Sequence, residues 1–445
     1  MELIKSWMIN KASLILMFGV LAVLFLPQVF VQGMFSDGVK YAAESLEFSQ
    51  RHEFWGLNPG HPPMLYWLEG LFFNLIGDHF FTERLFDLTV LGATILCLNG
   101  VLRKLKLAKK TTSFVIITFL LFPLSHWGQM QNLLEPLLSL FCLFSIFLLL
   151  KAQEQNNIRG QIAFAIFAGI SVCAAFLCKG VVSLFPIVFP IVFGIVFRSK
   201  LRLGIMQLAI LVLLLSTAGI LLWVNDDSNR FFNEYFNRQL VPALAGNLDR
   251  ASSRWHIIER LLSEELIIYI PMLILFLVRR QKLIQLPDET KKWSFIFFVV
   301  GLSASIPIIL SPKQSGFYII PALPYFFLSA ILVYGSLLEG VIRHVVFQKL
   351  VLAIGVLTII AGGVITVNSY GGYQRDKEVI QAIDYFGRNN DSDRILYSNE
   401  LYAEFGISAY FKRRLGITIA KDTGGEMLPK LIRDENGAFI IAEDF

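Results

Sequence analysis

Long apolar runs separated by short polar segments dominate the chain from residue 12 to residue 367. A helix needs roughly 20 apolar residues to cross the hydrocarbon core of a bilayer, with a range of about 17–25. This rule predicts about eleven membrane spans, placed near 12–31, 84–102, 111–127, 133–150, 161–178, 180–197, 205–224, 264–278, 293–311, 317–338 and 350–367. The pattern therefore predicts an α-helical polytopic membrane protein.

Lysine and arginine residues concentrate in the polar segments that lie between alternate pairs of these spans. Basic residues in short loops mark the cytoplasmic side of a membrane protein. The groups are Lys5 and Lys11; Arg103, Lys104, Lys106, Lys109 and Lys110; Lys151 and Arg159; Arg198, Lys200 and Arg202; Arg279, Arg280, Lys282, Lys291 and Lys292; and Arg343 and Lys349. We therefore expect a cytoplasmic N-terminus, an external C-terminus and three large external segments, 32–83, 225–263 and 368–445.

The chain divides into two parts by composition. Residues 1–367 form the predicted membrane module, which includes segment 32–83, and residues 368–445 lose the apolar composition. In this tail, helical runs alternate with short strand-like runs; the helical runs are Asp376–Phe386, Ala403–Arg413 and Glu426–Arg433, and the strand-like runs are Ile395–Ser398, Ile417–Ala420 and Ala438–Ala442. The alternation predicts a small external α/β domain.

The overall composition excludes an ordinary soluble domain. Of the 445 residues, 55% are hydrophobic and 16% are charged, whereas about a quarter of the residues in a soluble protein are charged. The net charge of +5 requires no nucleic-acid partner, because the basic residues lie in loops between spans. All four cysteines (Cys97, Cys142, Cys173 and Cys178) fall in apolar runs, which indicates core positions and not disulfide or metal partners.

The segment between the first two predicted spans combines a carboxylate, a proline pair and several aromatic residues. From Asp37 to Phe48 the small and apolar residues form one helical stripe (Val39, Ala42, Ala43 and Leu46), which predicts a helix lying in the membrane surface. Pro62 and Pro63 predict the start of a second short helix with His61 at its mouth. Aromatic anchors at the headgroup level are Trp55, Tyr66 and Trp67.

Ionisable residues at membrane depth are costly and are functional candidates. Taken singly, each has an ordinary explanation: Asp37 as a charge at a helix end, Glu135 as an acid in a first helical turn, and Lys179 as a lysine reaching the surface. Together with external Lys313, these groups suit transfer from a lipid phosphate. A carboxylate accepts the proton of a hydroxyl group, and basic groups neutralise the departing phosphate.

A series of short motifs recurs in a fixed order over about residues 10–340. The motifs are Asp37-Gly38-Val39-Lys40-Tyr41-Ala42, His61-Pro62-Pro63-Met64-Leu65-Tyr66-Trp67, Arg84-Leu85, Glu135, Lys179-Gly180, the aromatic run 231–244 with Arg238, and Tyr318 to Pro324. This order resembles the GT-C glycosyltransferases that use polyprenyl-phosphate sugars, in the branch of aminoarabinose transferases and protein mannosyltransferases. The chain departs from the family pattern at Gly38, where a second acid is usual, at His61, where lysine is common, and at Glu135, where aspartate is common.

The resemblance implies a GT-C-like fold with helices at the external membrane surface, and transfer of a sugar from a polyprenyl phosphate to an external hydroxyl group with inversion at the anomeric carbon. It implies that Asp37 is the general base or orients the acceptor, and that Glu135 supports the acceptor or a divalent ion. The residues that it assigns to the donor and its phosphate are His61, Arg238, Lys313 and Tyr318, with Lys179 and Arg84 as further candidates.

The implied partners are a polyprenyl-phosphate-linked sugar, membrane lipids, and an acceptor that is a lipid, a glycan or a protein. The implied location is the bacterial inner (plasma) membrane with the active site on its external, periplasmic face. The residues require no cofactor and are compatible with a divalent metal ion. Two alternatives stay open. One is a transporter or flippase of lipid-linked sugars, although matched broken helices are not evident; the other is a non-catalytic scaffold whose tail binds a partner.

Overall fold

The structure is a computed structural model of the chain. It describes residues 11–55, 60–105, 109–247, 253, 255–264, 266, 270, 286–342, 344–389, 394–397, 405–421, 430–433 and 439–442. Helices form most of the described part up to residue 389, and short strands occur after it.

Seven described helical stretches are long and apolar enough to cross a membrane. They are Ala12–Val29, Thr82–Lys104, Leu134–Ala152, Ile158–Val196, Arg198–Val224, Asp288–Leu310 and Val345–Ser369. The packed helices bury large apolar side chains between them, such as those of Phe119, Phe189 and Phe297. The chain is therefore a multi-pass integral membrane protein, as the apolar pattern predicts.

The count of seven differs from the predicted count of about eleven for identifiable reasons. Predicted spans 161–178 and 180–197 both fall within Ile158–Val196, which is interrupted at Gly180, and the span at 264–278 lies largely outside the described residues. The span predicted at 111–127 is broken, because Phe122 is extended before Pro123. The span predicted at 317–338 corresponds to the helix Leu323–Ile342, which begins after a 3₁₀ turn and of which only Leu323–Val333 enters the count.

Further helical elements lie between or within these stretches. They are Lys109–Leu120, Pro123–Gly128, Asp226–Tyr235, Val241–Ala245 and Leu323–Ile342, with 3₁₀ turns at Gly180–Ile187, Arg198–Lys200, Ile306–Leu310 and Gly316–Ile319 and a π-helical turn at Phe236–Leu240. Asn225 caps Asp226–Tyr235, since its side chain accepts a hydrogen bond from the Ser228 N–H at 3.0 Å.

Segment 32–83 contains the two helices that the sequence predicts. The first, Ser36–Arg51, is named here the Asp37 helix, and the second is Met64–Ile76. Three residues of the predicted stripe, Val39, Ala42 and Ala43, are buried, and Leu46 is partly exposed. The helix ends before His52, which has the left-handed conformation. Their orientation relative to a bilayer stays a prediction.

The tail forms two helices and a four-stranded sheet in the described residues. The helices are Lys377–Asn389 and Phe405–Leu415 (the tail helix); the strands are β1 (Arg394–Tyr397), β2 (Thr418–Lys421), β3 (Lys430–Arg433) and β4 (Phe439–Ala442). The strand order is β2-β1-β3-β4, with β1 parallel to β2 and β3, and β3 antiparallel to β4. The predicted helical run Glu426–Arg433 is wrong at its C-terminal half, because pairing on both sides makes Lys430–Arg433 a strand.

The tail packs directly onto the Asp37 helix. Val39 and Ala43 share one hydrophobic cluster with Ile380, Phe386 and Phe411 of the tail. Ionic contacts at the edges of this cluster join Arg413 to Glu83 (2.6 Å) and Asp78 (3.1 Å), Lys412 to Glu47, and Arg414 to Asp384 (2.5 Å). A separate domain at 368–445 stays a prediction, because the tail and segment 32–83 bury a common apolar surface.

Candidate functional site

Asp37 lies in the first turn of the Asp37 helix and is partly exposed. An acid is favoured there, because the unpaired N–H groups give this end of a helix a partial positive charge. The charge of Asp37 acts on Glu135, on Lys179 and on Tyr41. Groups that the sequence places in three separate motifs therefore lie within electrostatic range of Asp37.

Glu135 and Lys179 form a buried ion pair. The Glu135 side chain is 2% exposed and that of Lys179 is 14% exposed. The Lys179 ammonium also lies 3.8 Å from the centroid of the Tyr318 ring, over its face. A buried carboxylate is tolerated when a cation compensates it, so Lys179, Glu135 and Tyr318 form one unit and not three independent sites.

Gly180 makes the turn that places Lys179 at this point. Its φ of +68° lies in the left-handed region, which favours glycine. A Cβ atom here would also lie 2.8 Å from the Tyr235 hydroxyl oxygen. The Lys-Gly motif therefore has a structural reason in this chain: only glycine lets the helix that ends at Lys179 turn beneath Tyr235.

His61 stands in a group of basic residues. Burial lowers its pKa well below the ordinary value, and the charges of Lys179, Lys40 and Lys313 lower this pKa further. The ring is consequently neutral near pH 7 and can offer a hydrogen bond but no charge. Its Nδ1 atom is buried and has no hydrogen-bond partner in the described structure, and its ring meets that of Tyr41 edge-on at 5.7 Å.

The lowered pKa of His61 predicts a pH effect on stability. The folded protein resists protonation of this ring, whereas the unfolded chain binds the proton at about pH 6.5. Stability is therefore full above this pH and decreases as the pH falls, by at most about 1.4 kcal/mol per unit. Thermal unfolding of the wild type and of His61→Gln should diverge between about pH 6.5 and pH 5. His344→Gln, at an exposed position, serves as the control and should show no such divergence.

Two residues near Asp37 and one near Tyr318 were not among the predicted site residues. Lys40 and Tyr41 follow Asp37 at positions i+3 and i+4, and this spacing places them on its face of the helix. Burial, followed by the charge of Asp37, raises the pKa of Tyr41 well above its usual value, so its hydroxyl group stays protonated. Tyr235 has a pKa raised to about 12 by burial and then by Tyr318. Helical spacing could have identified Lys40 and Tyr41, whereas no sequence signal marks Tyr235.

Arg84 makes hydrogen bonds within the protein, and its assignment to the donor stays a prediction. Its side chain is fully buried, and its guanidinium donates to the carbonyl oxygens of Met130 and Gly33 and to Gln374 Oε1. The bonds to Gly33 and Gln374 measure 2.5 and 2.6 Å. Arg84 thus joins the start of segment 32–83, the loop before Glu135 and the tail, which is a structural role.

Arg238 and Lys313 differ in their placement. Lys313 is partly exposed and acts electrostatically on His61, so it lies with the basic group. Arg238 is largely exposed on the π-helical turn and pairs with Glu234 at 3.6 Å. Among the described residues no contact joins Arg238 to Asp37 or Lys179, and its role in donor binding stays a prediction.

The described part of the chain contains no group of three or more His, Cys, Asp or Glu side chains placed to hold a metal ion. Asp37 and Glu135 are two carboxylates, and the second is already paired with Lys179. The residues present therefore do not fit a metal site built from protein ligands alone.

One family model and several solved structures are similar to this chain. Residues 60–223 match the family described as dolichyl-phosphate-mannose-protein mannosyltransferase. This match includes His61, Glu135 and Lys179 and ends before the tail. No curated protein sequence matches the chain.

Solved structures show the same fold at low sequence identity. ArnT from Cupriavidus metallidurans in the apo state is 13% identical, with a TM-score of 0.65 over 90% of this chain and 83% of that one. The same protein bound to undecaprenyl phosphate is 14% identical, with a TM-score of 0.61 over 91% and 85%.

The Archaeoglobus fulgidus oligosaccharyltransferase in complex with Zn and sulfate is 12% identical, with a TM-score of 0.52 over 94% of this chain and 62% of that one. At these identities the structures establish the fold, and the family match covers the segment that carries most of the site motifs. The chain therefore shares its fold with ArnT, and residues 60–223 match the dolichyl-phosphate-mannose-protein mannosyltransferase family, in line with the resemblance seen in the sequence.

Proposed function

We propose that the chain is an integral-membrane glycosyltransferase that moves a sugar from a polyprenyl-phosphate donor to an external hydroxyl group. One observation supports the proposal: the carboxylate of Asp37 acts electrostatically on Lys179, and Lys179, Lys40 and Lys313 act electrostatically on His61. A base beside a set of cations is the arrangement that transfer from a phosphate ester requires.

The reaction is written as a single displacement at the anomeric carbon. The acceptor oxygen forms a bond to this carbon while the bond from the carbon to the phosphate oxygen breaks, and the electron pair of that bond stays on the phosphate. Asp37 takes the acceptor proton and later releases it to water. The leaving group is polyprenyl phosphate, and attack opposite to it inverts the anomeric configuration.

The cations have distinct tasks in this scheme. Lys179 is held in place by Glu135 and by the Tyr318 ring, so its ammonium is pre-positioned and loses little freedom when a phosphate oxygen arrives. Lys40 and Lys313 add positive charge, and neutral His61 offers a hydrogen bond. Glu135 orients Lys179 here, which differs from the expected role of supporting the acceptor or a metal ion.

The donor class is supported by the fold relative that binds undecaprenyl phosphate. The acceptor is proposed only as a hydroxyl-bearing lipid, glycan or protein, and the site is proposed to open on the external face of a bacterial inner membrane. Support for this face comes from the basic residues in alternate loops.

Lys313→Gln tests the phosphate site. The variant should bind undecaprenyl phosphate about 10-fold or more weakly, which is the loss expected for one charge-assisted hydrogen bond. Binding of undecaprenol, which lacks the phosphate, should change little. Binding is measured on purified protein in lipid nanodiscs, with Lys349→Gln, at an exposed lysine outside the cluster, as the matched control. An equal loss for both lipids would contradict a phosphate contact at Lys313.

Turnover separates the proposal from a transporter. Purified chain supplied with a panel of polyprenyl-phosphate sugars and a hydroxyl acceptor should release polyprenyl phosphate only when both substrates are present. Intact lipid-linked sugar that crosses a liposome membrane without cleavage would instead establish a flippase. A chain that neither cleaves nor moves the donor would leave the scaffold alternative.

A further inference from the structure

The loop before Glu135 lies directly against the start of the Asp37 helix. A Cβ atom at Gly38 would come within 2.0 Å of the Gln131 carbonyl oxygen, so the two backbones touch at this point. Gln131 also accepts a hydrogen bond from the Phe35 N–H through its side-chain oxygen, at 2.8 Å. The absence of a second acid after Asp37 thus has a physical reason: the loop occupies the space of that side chain.

Asn132 connects this loop to the Asp37 helix and to two buried acids, Glu69 and Asp87. Its side-chain N–H₂ donates to the Gly38 carbonyl oxygen at 3.1 Å and to Glu69 Oε1 at 2.8 Å. Its backbone N–H donates to Asp87 Oδ2 at 2.8 Å. Asn132 is fully buried and lies two residues before the start of the helix that carries Glu135. It also donates a hydrogen bond to Gly38, the residue that follows Asp37.

The side chain and the backbone of Asn132 meet two requirements at once. Its φ of +50° lies in the left-handed region, which asparagine tolerates better than most residues with a Cβ atom. Its amide supplies the two donated bonds. An aspartate here would place a third carboxylate between Glu69 and Asp87, and glycine would keep the backbone but lose both bonds.

Glu69 holds the far side of this connection. It is fully buried, and its second oxygen accepts a bond from the Ser45 hydroxyl at 2.6 Å. Ser45 lies two turns along the Asp37 helix, so Asn132 is tied to this helix both directly at Gly38 and indirectly through Glu69.

We propose that Asn132 is a positioning residue that sets the separation between Asp37 and the Glu135–Lys179 pair. Asn132 forms no hydrogen bond to Asp37 or to Glu135. It acts on them through the backbone segments next to each of these residues. The inference rests on the proposed glycosyl transfer, because the separation matters when one acid takes a proton and the pair meets the phosphate. A small displacement of such groups from their working geometry is enough to slow a reaction.

Asn132→Gly is the informative variant, since it permits the left-handed backbone and removes only the amide. We expect kcat to fall about 10-fold or more while KM for the donor stays within about 2-fold, as for a defect in the reacting geometry and not in binding. Hydrogen exchange of the amides at 38–44 should become faster. The control is Asn157→Gly, which removes the cap bond to the Gly160 N–H at the other end of the helix that carries Lys179 and should leave kcat unchanged.

A double-variant cycle with Glu69→Ala tests whether Asn132 acts on the Asp37 helix through Glu69. If Asn132 acts through Glu69, the double variant should lose little more kcat than Asn132→Gly alone. Unchanged kcat in Asn132→Gly, or an equal loss of kcat in the Asn157→Gly control, would overturn the positioning role. Sugar transfer by the wild-type chain is measured before any variant is compared. A wild-type chain that transfers no sugar would overturn the proposed function itself.

Discussion

Asp37→Asn should lower the rate of sugar transfer by about 100-fold or more, the range expected when a general base is removed. The amide has the shape of the carboxylate but cannot take the proton of the acceptor. Within the described structure the Asp37 side chain makes no hydrogen bond or ion pair, so the folded state loses little with the charge. Expression and the thermal unfolding midpoint should therefore stay close to those of the wild type.

The measurement is the initial rate of polyprenyl phosphate release at saturating donor. Asp288→Asn is the matched control, because Asp288 also lies in the first turn of a long helix and is far from this cluster in the chain. Near-normal transfer by Asp37→Asn would remove Asp37 from the chemistry, and a fall in both variants would indicate a general effect of lost acidic charge.

Lys179→Met should be the most damaging single change at the Glu135–Lys179 pair. It leaves the Glu135 carboxylate, whose side chain is 2% exposed, without its cation. Removal of one partner from a buried pair costs about 3–5 kcal/mol of stability. Donor binding should also be lost, because the cation that lies over the Tyr318 ring is the one proposed to meet the phosphate.

Combining Lys179→Met with Glu135→Gln separates stability from function. The double variant has no unpaired buried charge, so it should recover most of the unfolding free energy and still bind undecaprenyl phosphate weakly. Lys104→Met is the control, since Lys104 pairs with Glu154, which is 46% exposed, and such pairs contribute about 0–1 kcal/mol. Wild-type activity in the double variant would show that the pair is structural only.

The sequence alone predicted the features that depend on the local pattern of apolar residues or on the order of the motifs. The apolar runs located the long helices, and the stripe Val39, Ala42 and Ala43 identified the Asp37 helix. Motif order brought together Asp37, Glu135 and Lys179, which the structure places in one electrostatic group. Each of these features depends on residues close in the chain or on an order shared with a known family.

Other features depend on contacts that no local pattern encodes. Arg84 carries a charge that suggests a ligand, but its partners are carbonyl groups far away in the chain, and only the tertiary structure shows that they enclose it. Lys430–Arg433 has a helix-compatible composition, yet strands on either side make it a strand. Glu135 pairs with Lys179, a contact between distant motifs that only the tertiary structure shows.

The docking of the tail onto the Asp37 helix imposes an order on the assembly of the protein. The Met34 N–H donates to the Tyr410 hydroxyl at 3.2 Å, and these residues are 376 positions apart in the chain. During synthesis from the N-terminus, the apolar face of Val39 and Ala43 stays uncovered until the tail has been made. The helix that carries Asp37 is therefore synthesised early, but its apolar face gains this cover only after residues 379–417 have been made.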